Sequence, residues 1–565
     1  MTWRALVLVL LACPLFANDL TVAWISREPA LEYVWGSTNP AVEGWPLVGS
    51  TVTWRAHVRN WSGSAATLPY VWRADGVEIA RGNVTLAANQ YTTVDLARPW
   101  SFTRERLSFA IADRSLEVFT DALAVGFWVE QSVYDHFRLL QPQFGMGSTG
   151  FEDWAQRTMA FYNDMAALAI YPETPNGVHD RYRLQKIVIV PDRTLPLNGL
   201  PDEATPGANG GTHPDKDDRT VDLMWGFRTE AWTTYRNTTD KSPSNAFYVG
   251  YNVLHELGHA RYLVDIYAWD VLQRPPYYRI NITENGAPIF GKYISTFRSP
   301  EQGLMNAQYT FLDRYSAIAL NFIAGHRAVM GNYNEPRNFA SFLNDFPREN
   351  RLTIRDDTGA PIANADVWFY YSVANGESWY ATNYDDTPDL QLRTDANGQV
   401  LVGRAPFATD GKVVHTYGMT NGVSIVRVAQ GEKIAYGFLE SRLFNLAYWR
   451  GHTDFAEHEL YVGVDCDGDG PRLVAPSWEA VSSDGNVTLD WNALSGATRY
   501  HVYASTNLGI PRVIATTADT QATVQLRGRT HWWVEAEVGV CGTRRSATGL
   551  VNAPEANVRR RAVRH

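Results

Sequence analysis

The chain has 565 residues, of which 45% are hydrophobic and 19% are charged, and its formal net charge is -10. This length is several times that of a typical domain, so we expect roughly three to five domains. The composition, which includes 20 Trp and 28 Tyr, excludes an intrinsically disordered protein and favours aromatic-rich β-structure. The modest charge gives no indication of a nucleic-acid partner.

Residues 1–17 have the pattern of a secretory signal peptide: one arginine, an apolar run too short to span a bilayer, and small residues near Ala17. Cys13 offers the alternative of a bacterial lipid anchor. No later stretch is apolar for long enough to form a membrane helix, so the sequence predicts a secreted, extracellular or periplasmic protein without a transmembrane segment. Cys466 and Cys541, which remain after cleavage, either pair or stay free.

Residues 18–117 are predicted to form a first domain of short strands. Apolar and polar residues alternate along this region, and Asp75 and Gly76 separate two strand-like runs as a hairpin turn would. The region resembles the immunoglobulin-like β-sandwiches of bacterial surface proteins. This resemblance implies attachment to a cell surface or matrix as a role for the β domains.

Residues 118–348 mix helical and strand-like patterns, which predicts an α+β domain. Apolar residues recur at near-helical spacing in some segments, whereas others are short, continuously apolar runs typical of buried strands. The predicted elements are a helix over 151–171, strands over 184–191 and 220–227, a helix over 245–264 and a last helix over 310–329.

Strand patterns return after this region. Residues 349–462 alternate with period two around the turns "DDTG" and "DANG", and they resemble the transthyretin-like or carboxypeptidase-regulatory sandwich. Residues 463–476 read as a linker, and residues 477–553, with "LDWN" and "YHVYAST", resemble a fibronectin type III module. The basic tail, 554–565, is predicted to be solvated. The predicted fold class is therefore a multidomain protein in which all-β sandwich domains flank an α+β domain.

The stretch "HELGH" carries the strongest chemical signal. His255 and His259 are four residues apart in a predicted helix, so both imidazoles lie on one face and can bind one metal ion. Imidazole nitrogen suits Zn²⁺, and a catalytic zinc takes three protein ligands and leaves one position open. Glu256 is placed to act as general base toward a metal-activated water. The alternative is a helix with two surface histidines.

Asp265 is the predicted third ligand. If the helix simply continued past His259, Asp265 would lie about 120° off the metal face and ~9 Å along the axis. The chain must therefore leave the helix and turn back between these two residues. Glu284 and Glu301 are the alternative third ligands, but both lie in turn-rich segments.

The motif resembles that of the metzincin zinc proteases, HExxHxxGxxH or, in snapalysin-like members, HExxHxxGxxD. His255, Glu256, His259 and Asp265 match it position by position, whereas Tyr262 stands where the family has glycine. The resemblance implies a metzincin-like fold for residues 118–348 and one catalytic zinc ion.

A second match lies about forty-five residues downstream. Metzincins carry a methionine in a tight turn beneath the metal, followed by a helix, and Gly303, Leu304 and Met305 precede a predicted helix here. The resemblance implies that Met305 forms the floor of the site without binding zinc.

A further cluster suggests calcium. Asp465, Asp467 and Asp469 alternate before Gly470, as at the start of a calcium loop, but the glutamate that would close such a loop is missing. A polar linker is the alternative interpretation.

These features predict a secreted zinc-dependent endopeptidase that hydrolyses protein or peptide substrates with Glu256 as general base. The sequence has no phosphate-binding loop in the required context and no GxSxG elbow. The alternative is a surface adhesion or matrix-binding protein whose HExxH domain is inactive or structural.

Overall fold

The computed structural model describes residues 19–33, 44–139, 148–195, 215, 218–228, 251–261, 263–273, 279–306, 310–327, 344–374, 382–408, 422–464, 466, 468–476 and 479–555. Within these residues, 31 strands and five α-helices form four successive units, so the protein is multidomain and rich in β-structure. Among the described helices, none combines the length and the hydropathy that a membrane-spanning segment requires. The predicted signal peptide and lipid-anchor cysteine Cys13 lie outside the described residues.

The first unit consists of seven strands in two antiparallel sheets. The strands are β1 (Leu20–Glu28), β2 (Thr51–Asn60), β3 (Ala66–Ala74), β4 (Val77–Leu86), β5 (Tyr91–Pro99), β6 (Arg106–Ile111) and β7 (Arg114–Phe119). One sheet has the order β1-β2-β5 and the other β4-β3-β6-β7. Trp54 and Trp72 bring one indole from each sheet into a common core. Asp75 and Gly76 have φ values of 48° and 81°, which confirms the predicted hairpin turn.

The second unit mixes helices and strands. Its elements are β8 (Leu123–Glu130), α1 (Gln131–Leu139), α2 (Phe151–Leu168), β9 (Tyr182–Val190), β10 (Leu223–Phe227), α3 (Tyr251–His259), a 3₁₀ helix (Ile266–Trp269), β11 (Arg279–Ile280), β12 (Thr283–Glu284), β13 (Ala287–Pro288) and α4 (Arg314–Phe322). The sheet β10-β8-β9 is parallel throughout, and α1 and α2 form the crossover between β8 and β9. Each predicted helix and strand of this region is present in whole or in part, while 229–250 and Tyr262 lie outside the described residues.

The third unit is a sandwich with one helix. Its elements are β14 (Glu349–Arg355), β15 (Asp366–Tyr370), β16 (Val373–Ala374), β17 (Thr382–Tyr384), β18 (Leu390–Arg393), β19 (Gln399–Gly403), β20 (Val423–Gln430), β21 (Lys433–Glu440), α5 (Ser441–Trp449) and β22 (Phe455–Tyr461). The two sheets have the orders β19-β14-β22 and β18-β15-β20-β21. Asp356 and Asp395 each accept a backbone N–H two residues ahead, which confirms the predicted turns.

The fourth unit is a second all-β sandwich. Its strands are β23 (Leu473–Ala475), β24 (Glu479–Val481), β25 (Asn486–Trp491), β26 (Arg499–Thr506), β27 (Arg512–Thr517), β28 (Gln521–Gln525), β29 (Arg529–Glu537), β30 (Thr543–Arg545) and β31 (Gly549–Asn552). β23 lies within the predicted linker 463–476 but pairs with β25, so the sandwich begins earlier than we predicted. The strand is three residues long, which is too short to show alternation in the sequence.

Residues 118–348 and 349–462, which were predicted as separate domains, share part of one apolar core, although residues 346–462 also form a core of their own. One apolar core runs from Leu20 to Leu446. β11 pairs with β17 of the third unit, and the ring of Phe297 stacks on Phe438 with centroids 4.6 Å apart. The second unit is therefore supported directly by the third.

A disulfide joins Cys466 to Cys541, across 75 residues of sequence, so these cysteines pair. The segment around Cys466 passes between two units at very short range. A Cβ added to Gly468 would lie 2.3 Å from the carbonyl oxygen of Ser299, and one added to Gly470 would lie 1.8 Å from that of Arg545. These two glycines are required because the backbones approach closely.

Candidate metal centre

Helix α3 positions the two histidines of the predicted zinc motif. Val253, Leu254 and Leu257 are buried and fix the helix against the core. The imidazole rings of His255 and His259 lie 4.8 Å apart between centroids, because residues four apart share one face of a helix. Both side chains are mostly buried, with exposed fractions of 10% and 13%.

The helix ends at His259 through a defined turn. The backbone N–H of Leu263 donates to the carbonyl oxygen of Gly258 at 3.1 Å. This hydrogen bond spans six residues, as in the turn that ends many helices. The guanidinium of buried Arg261 is held by Asp180 at 2.6 Å and donates to two carbonyl oxygens beyond the C-terminal end of α4. The chain therefore reverses before Asp265, as the helical geometry required.

The reversal brings Asp265 to the histidines. Its Oδ1 atom lies 2.9 Å from Nε2 of His255 and 3.2 Å from Nε2 of His259, and the residue is 1% exposed. The N–H of the next residue, Ile266, donates to the carbonyl oxygen of Met305 and holds the segment in place. His255, His259 and Asp265 thus offer three ligand atoms within 4.8 Å of one another.

The hydrogen bonds of the imidazoles determine what this group can bind. Nδ1 of His255 donates to the carbonyl oxygen of Leu304 at 2.9 Å, and Nδ1 of His259 donates to that of Leu263 at 2.8 Å. When both rings are neutral, each turns the lone pair of Nε2 toward Asp265, and the buried Oδ1 then has no hydrogen-bond donor among the described residues. Three acceptor atoms converge, and only a proton or a cation satisfies all of them.

The distances suit zinc. Tetrahedral Zn²⁺ with bonds of ~2.0–2.1 Å places neighbouring ligand atoms about 3.3 Å apart. The separations of Oδ1 of Asp265 from the two Nε2 atoms are close to this value. Two imidazoles and one carboxylate at these distances could therefore hold a metal ion such as zinc.

The charges of the group shift two pKa values. Burial lowers the pKa of His259, but the charge of Asp265 and the hydrogen bond to it outweigh burial and raise that pKa to about 9. Burial raises the pKa of Asp265, but the two imidazoles outweigh burial and lower it. Because a divalent cation would replace the proton between these groups, metal binding is expected to release a proton.

The loop that contains Met305 forms the floor of the site. Met305 is fully buried, and a Cβ added to Gly258 of α3 would lie 3.0 Å from its sulfur, so the methionine packs directly beneath the helix. The same loop supplies the carbonyl oxygens of Leu304, which holds His255, and of Met305, which holds Ile266. The loop thus contacts the segments before and after the chain reversal.

Replacing Gly303 by alanine is expected to destabilise this floor by about 1–3 kcal/mol, the usual cost of forcing extra volume into a packed site. The new Cβ would lie 2.8 Å from both the backbone nitrogen and Oδ2 of buried Asp313, and the backbone atom cannot move aside. The midpoint of urea unfolding measures the effect. Gly63→Ala, where a Cβ meets nothing within 4 Å, is the matched control, and equal midpoints for both variants would contradict the prediction.

Neither alternative third ligand lies with the histidines. Glu284 forms a two-point ion pair with Arg427, with distances of 2.5 and 2.8 Å, and Glu301 pairs with Arg442 at 2.8 Å. Both carboxylates therefore form ion pairs with arginines of the third unit.

The candidate calcium cluster is described only in part. Asp469 lies 3.4 Å from the guanidinium of Arg298, while Asp465 and Asp467 lie outside the described residues.

The sequence did not predict two features of the site. Tyr267 follows Asp265 in the 3₁₀ helix, and its ring lies nearly parallel to that of His255, with an interplanar angle of 11° and centroids 6.2 Å apart. Its nearness to Asp265 in sequence was the available signal. Arg442 and Glu440 support the floor from about 140 residues away, and no local pattern indicates them.

Comparisons with known proteins do not assign the chain to a family. No family model and no curated protein matches it. Among solved structures, it is similar to FN3tt (18% identity, 16% of this chain and 96% of that chain, TM-score 0.13), to a GH2 beta-galacturonidase from Eisenbergiella tayi (14% identity, 26% and 28%, 0.12) and to a streptococcal ancillary pilin (10% identity, 37% and 62%, 0.11). Because TM-scores of this size do not establish a common fold, the functional interpretation depends on the chemistry of the site.

Proposed function

We propose that this protein is a zinc-dependent endopeptidase in which His255, His259 and Asp265 hold one zinc ion and Glu256 acts as general base. The observation that carries the proposal is the convergence of the buried Oδ1 of Asp265 with two imidazole nitrogens, which lie 2.9 and 3.2 Å from it. Two neutral imidazoles and one carboxylate are the kind of ligand set that binds zinc, so their convergence in a buried place supports a cation site.

A zinc ion in this position would polarise a substrate carbonyl and lower the pKa of water to about 7. Glu256 is half-buried, and its charge is one of those that raise the pKa of His259, so the carboxylate lies near the metal ligands. As general base it accepts the proton of the water that attacks the peptide carbonyl. It then donates this proton to the amine that leaves.

An extracytoplasmic location forms part of the proposal. Disulfides persist in oxidising compartments, and the bond between Cys466 and Cys541 fits the secretory leader predicted for residues 1–17. An exported metallopeptidase would act on extracellular or periplasmic proteins or peptides.

Glu256→Gln tests the proposed reaction. The amide has the size of the carboxylate but cannot accept the proton, so cleavage of an unfolded protein such as casein should fall by about 10²–10⁴-fold. The zinc content should stay at the wild-type level, because Glu256 is not one of the three converging ligand groups. Cleavage rates and metal analysis of both proteins provide the measurement.

Two outcomes would decide against an endopeptidase. Wild-type protein that contains zinc but cleaves neither casein nor a peptide library would favour the adhesion alternative, with the metal in a structural role. A Glu256→Gln variant that retains full activity would exclude Glu256 as the general base.

A further inference from the structure

A cleft of about 550 Å³ lies where the first, second and fourth units meet. It is formed by β6 and β7 of the first unit, by α2 and β9 of the second and by Leu508 of the fourth, and it shares no lining residue with His255, His259 or Asp265. Its volume is within the range of small-molecule sites. We call it the arginine cleft because Arg104, Arg106, Arg181 and Arg183 line it.

Three of these guanidinium groups surround one aromatic ring. The Cζ atoms of Arg104, Arg106 and Arg181 lie 5.6, 5.5 and 5.6 Å from the centroid of Phe119. Positive charge is therefore concentrated at this wall of the cleft. Phe119 is half-buried and provides an apolar surface between the charged groups.

Arg181 is the least compensated of the three. It is 6% exposed, and among the described residues its Nη1 donates only to the backbone carbonyl oxygens of Val178 and Asp180. Within the described part of the chain, no carboxylate forms an ion pair with it, whereas Arg104 is paired with Asp121 at 2.9 Å. Burial, followed by the charge of Arg104, lowers the pKa of Arg181 to about 10. A buried guanidinium that has no carboxylate partner is stabilised by a bound anion.

We propose that the arginine cleft binds a small organic monocarboxylate, with its carboxylate at Arg181 and Arg104 and its apolar part against Phe119. The planar guanidinium fork matches a carboxylate geometrically. Arg104 pairs with Asp121 and Arg106 with Glu117, whereas Arg181 has no ion pair among the described residues, and this uncompensated charge favours a singly charged ligand. This site does not depend on the proposed metal chemistry.

Hippurate, an aromatic monocarboxylate, is the probe. We expect calorimetry to show hippurate binding to the wild-type protein, while hippuramide, which has the same shape without the charge, should bind at least about tenfold more weakly. Arg181→Met should weaken hippurate binding by about 10–100-fold, because hydrogen bonds to a charged group are lost. Arg104→Met, at a more exposed position, should weaken it in the same direction.

The controls separate binding from folding. Arg55→Met removes an arginine of the first unit that pairs with Asp95 away from the cleft, and it should leave hippurate binding unchanged. The thermal midpoint of Arg181→Met should be equal to or above that of the wild type, since an uncompensated buried charge is replaced by an apolar chain of similar length.

Three results would overturn the proposal. One is the absence of hippurate binding to the wild type at millimolar concentrations. Another is equal binding of hippurate and hippuramide, which would mean that the arginines do not contribute. The last is inorganic phosphate binding more tightly than hippurate with the same dependence on Arg181 and Arg104, which would assign the cleft to a different anion.

Discussion

Asp265→Ala is expected to abolish the proposed zinc binding, and with it the proposed proteolytic activity. Asp265 supplies the buried oxygen that lies 2.9 and 3.2 Å from the two Nε2 atoms, so its removal leaves two imidazoles without the third converging ligand atom. Loss of a group that only supports a ligand lowers metal affinity by about 10–100-fold, and loss of a ligand should exceed this. Metal analysis after dialysis, together with competition against a chelator of known affinity, measures the change.

Glu284→Gln and Glu301→Gln are the matched controls for the identity of the third ligand. Each removes a carboxylate charge from the same unit while keeping its size, and each acts on an ion pair with the third unit. Zinc affinity should fall far less in both variants than in Asp265→Ala, by no more than the roughly tenfold loss at the low end for groups outside the coordination sphere. Retention of zinc by Asp265→Ala, with loss in either glutamine variant, would exclude Asp265 as a ligand.

The parts of the site that the sequence predicted are set by local geometry. His255 and His259 share a helix face because an α-helix has 3.6 residues per turn, whatever surrounds it. The turn at Asp75 and Gly76 is also local, since both residues tolerate positive φ. The need for a chain reversal before Asp265 followed from the same helical geometry.

The groups that hold the reversal in place could not be predicted. Arg261 is anchored by Asp180, which precedes it by 81 residues, and His255 is oriented by a backbone carbonyl 49 residues away. Backbone acceptors have no sequence signature, and a single arginine or aspartate has many candidate partners in a chain of this length. These contacts depend on the tertiary structure, which the periodicity of apolar residues in the sequence does not indicate.

The contacts between the predicted domains could not be predicted for a related reason. Composition and alternation locate sandwiches, because their strands have period two. They do not show that the segment around Glu284 lies against the third unit, where Arg427 and Tyr436 hold its carboxylate. The likeness to metzincins likewise concerns a short motif, so the fold of the whole second unit stays a prediction.

Arg442→Ala is expected to destabilise the protein by about 3–5 kcal/mol, the usual effect of removing one partner from a buried ion pair. Arg442, only 7% exposed, donates to both carboxylate oxygens of Glu440, at 2.8 and 3.0 Å, and to Glu301 at 2.8 Å. Alanine would leave the buried carboxylate of Glu440 and the half-buried carboxylate of Glu301 without this cation. The midpoint and slope of urea unfolding give the change in free energy.

Arg393→Ala provides the control within the same unit. Arg393 and its partner Asp366 have exposed side-chain fractions of 62% and 50%, so this surface pair should contribute no more than about 1 kcal/mol. A similar loss of stability in both variants would mean that burial does not distinguish the two pairs, contrary to the prediction.

Arg442→Ala also tests whether the third unit supports the candidate metal centre. Glu440 also accepts a hydrogen bond from the hydroxyl of Ser299, and Glu301 lies in the loop that leads to Met305. Because Leu304 of this loop orients His255, loosening it should lower zinc affinity by about tenfold in Arg442→Ala, as loss of an outer-shell partner does. Lower stability with unchanged zinc affinity would show that the loop holds its position without the third unit, and that the coupling proposed between them is absent.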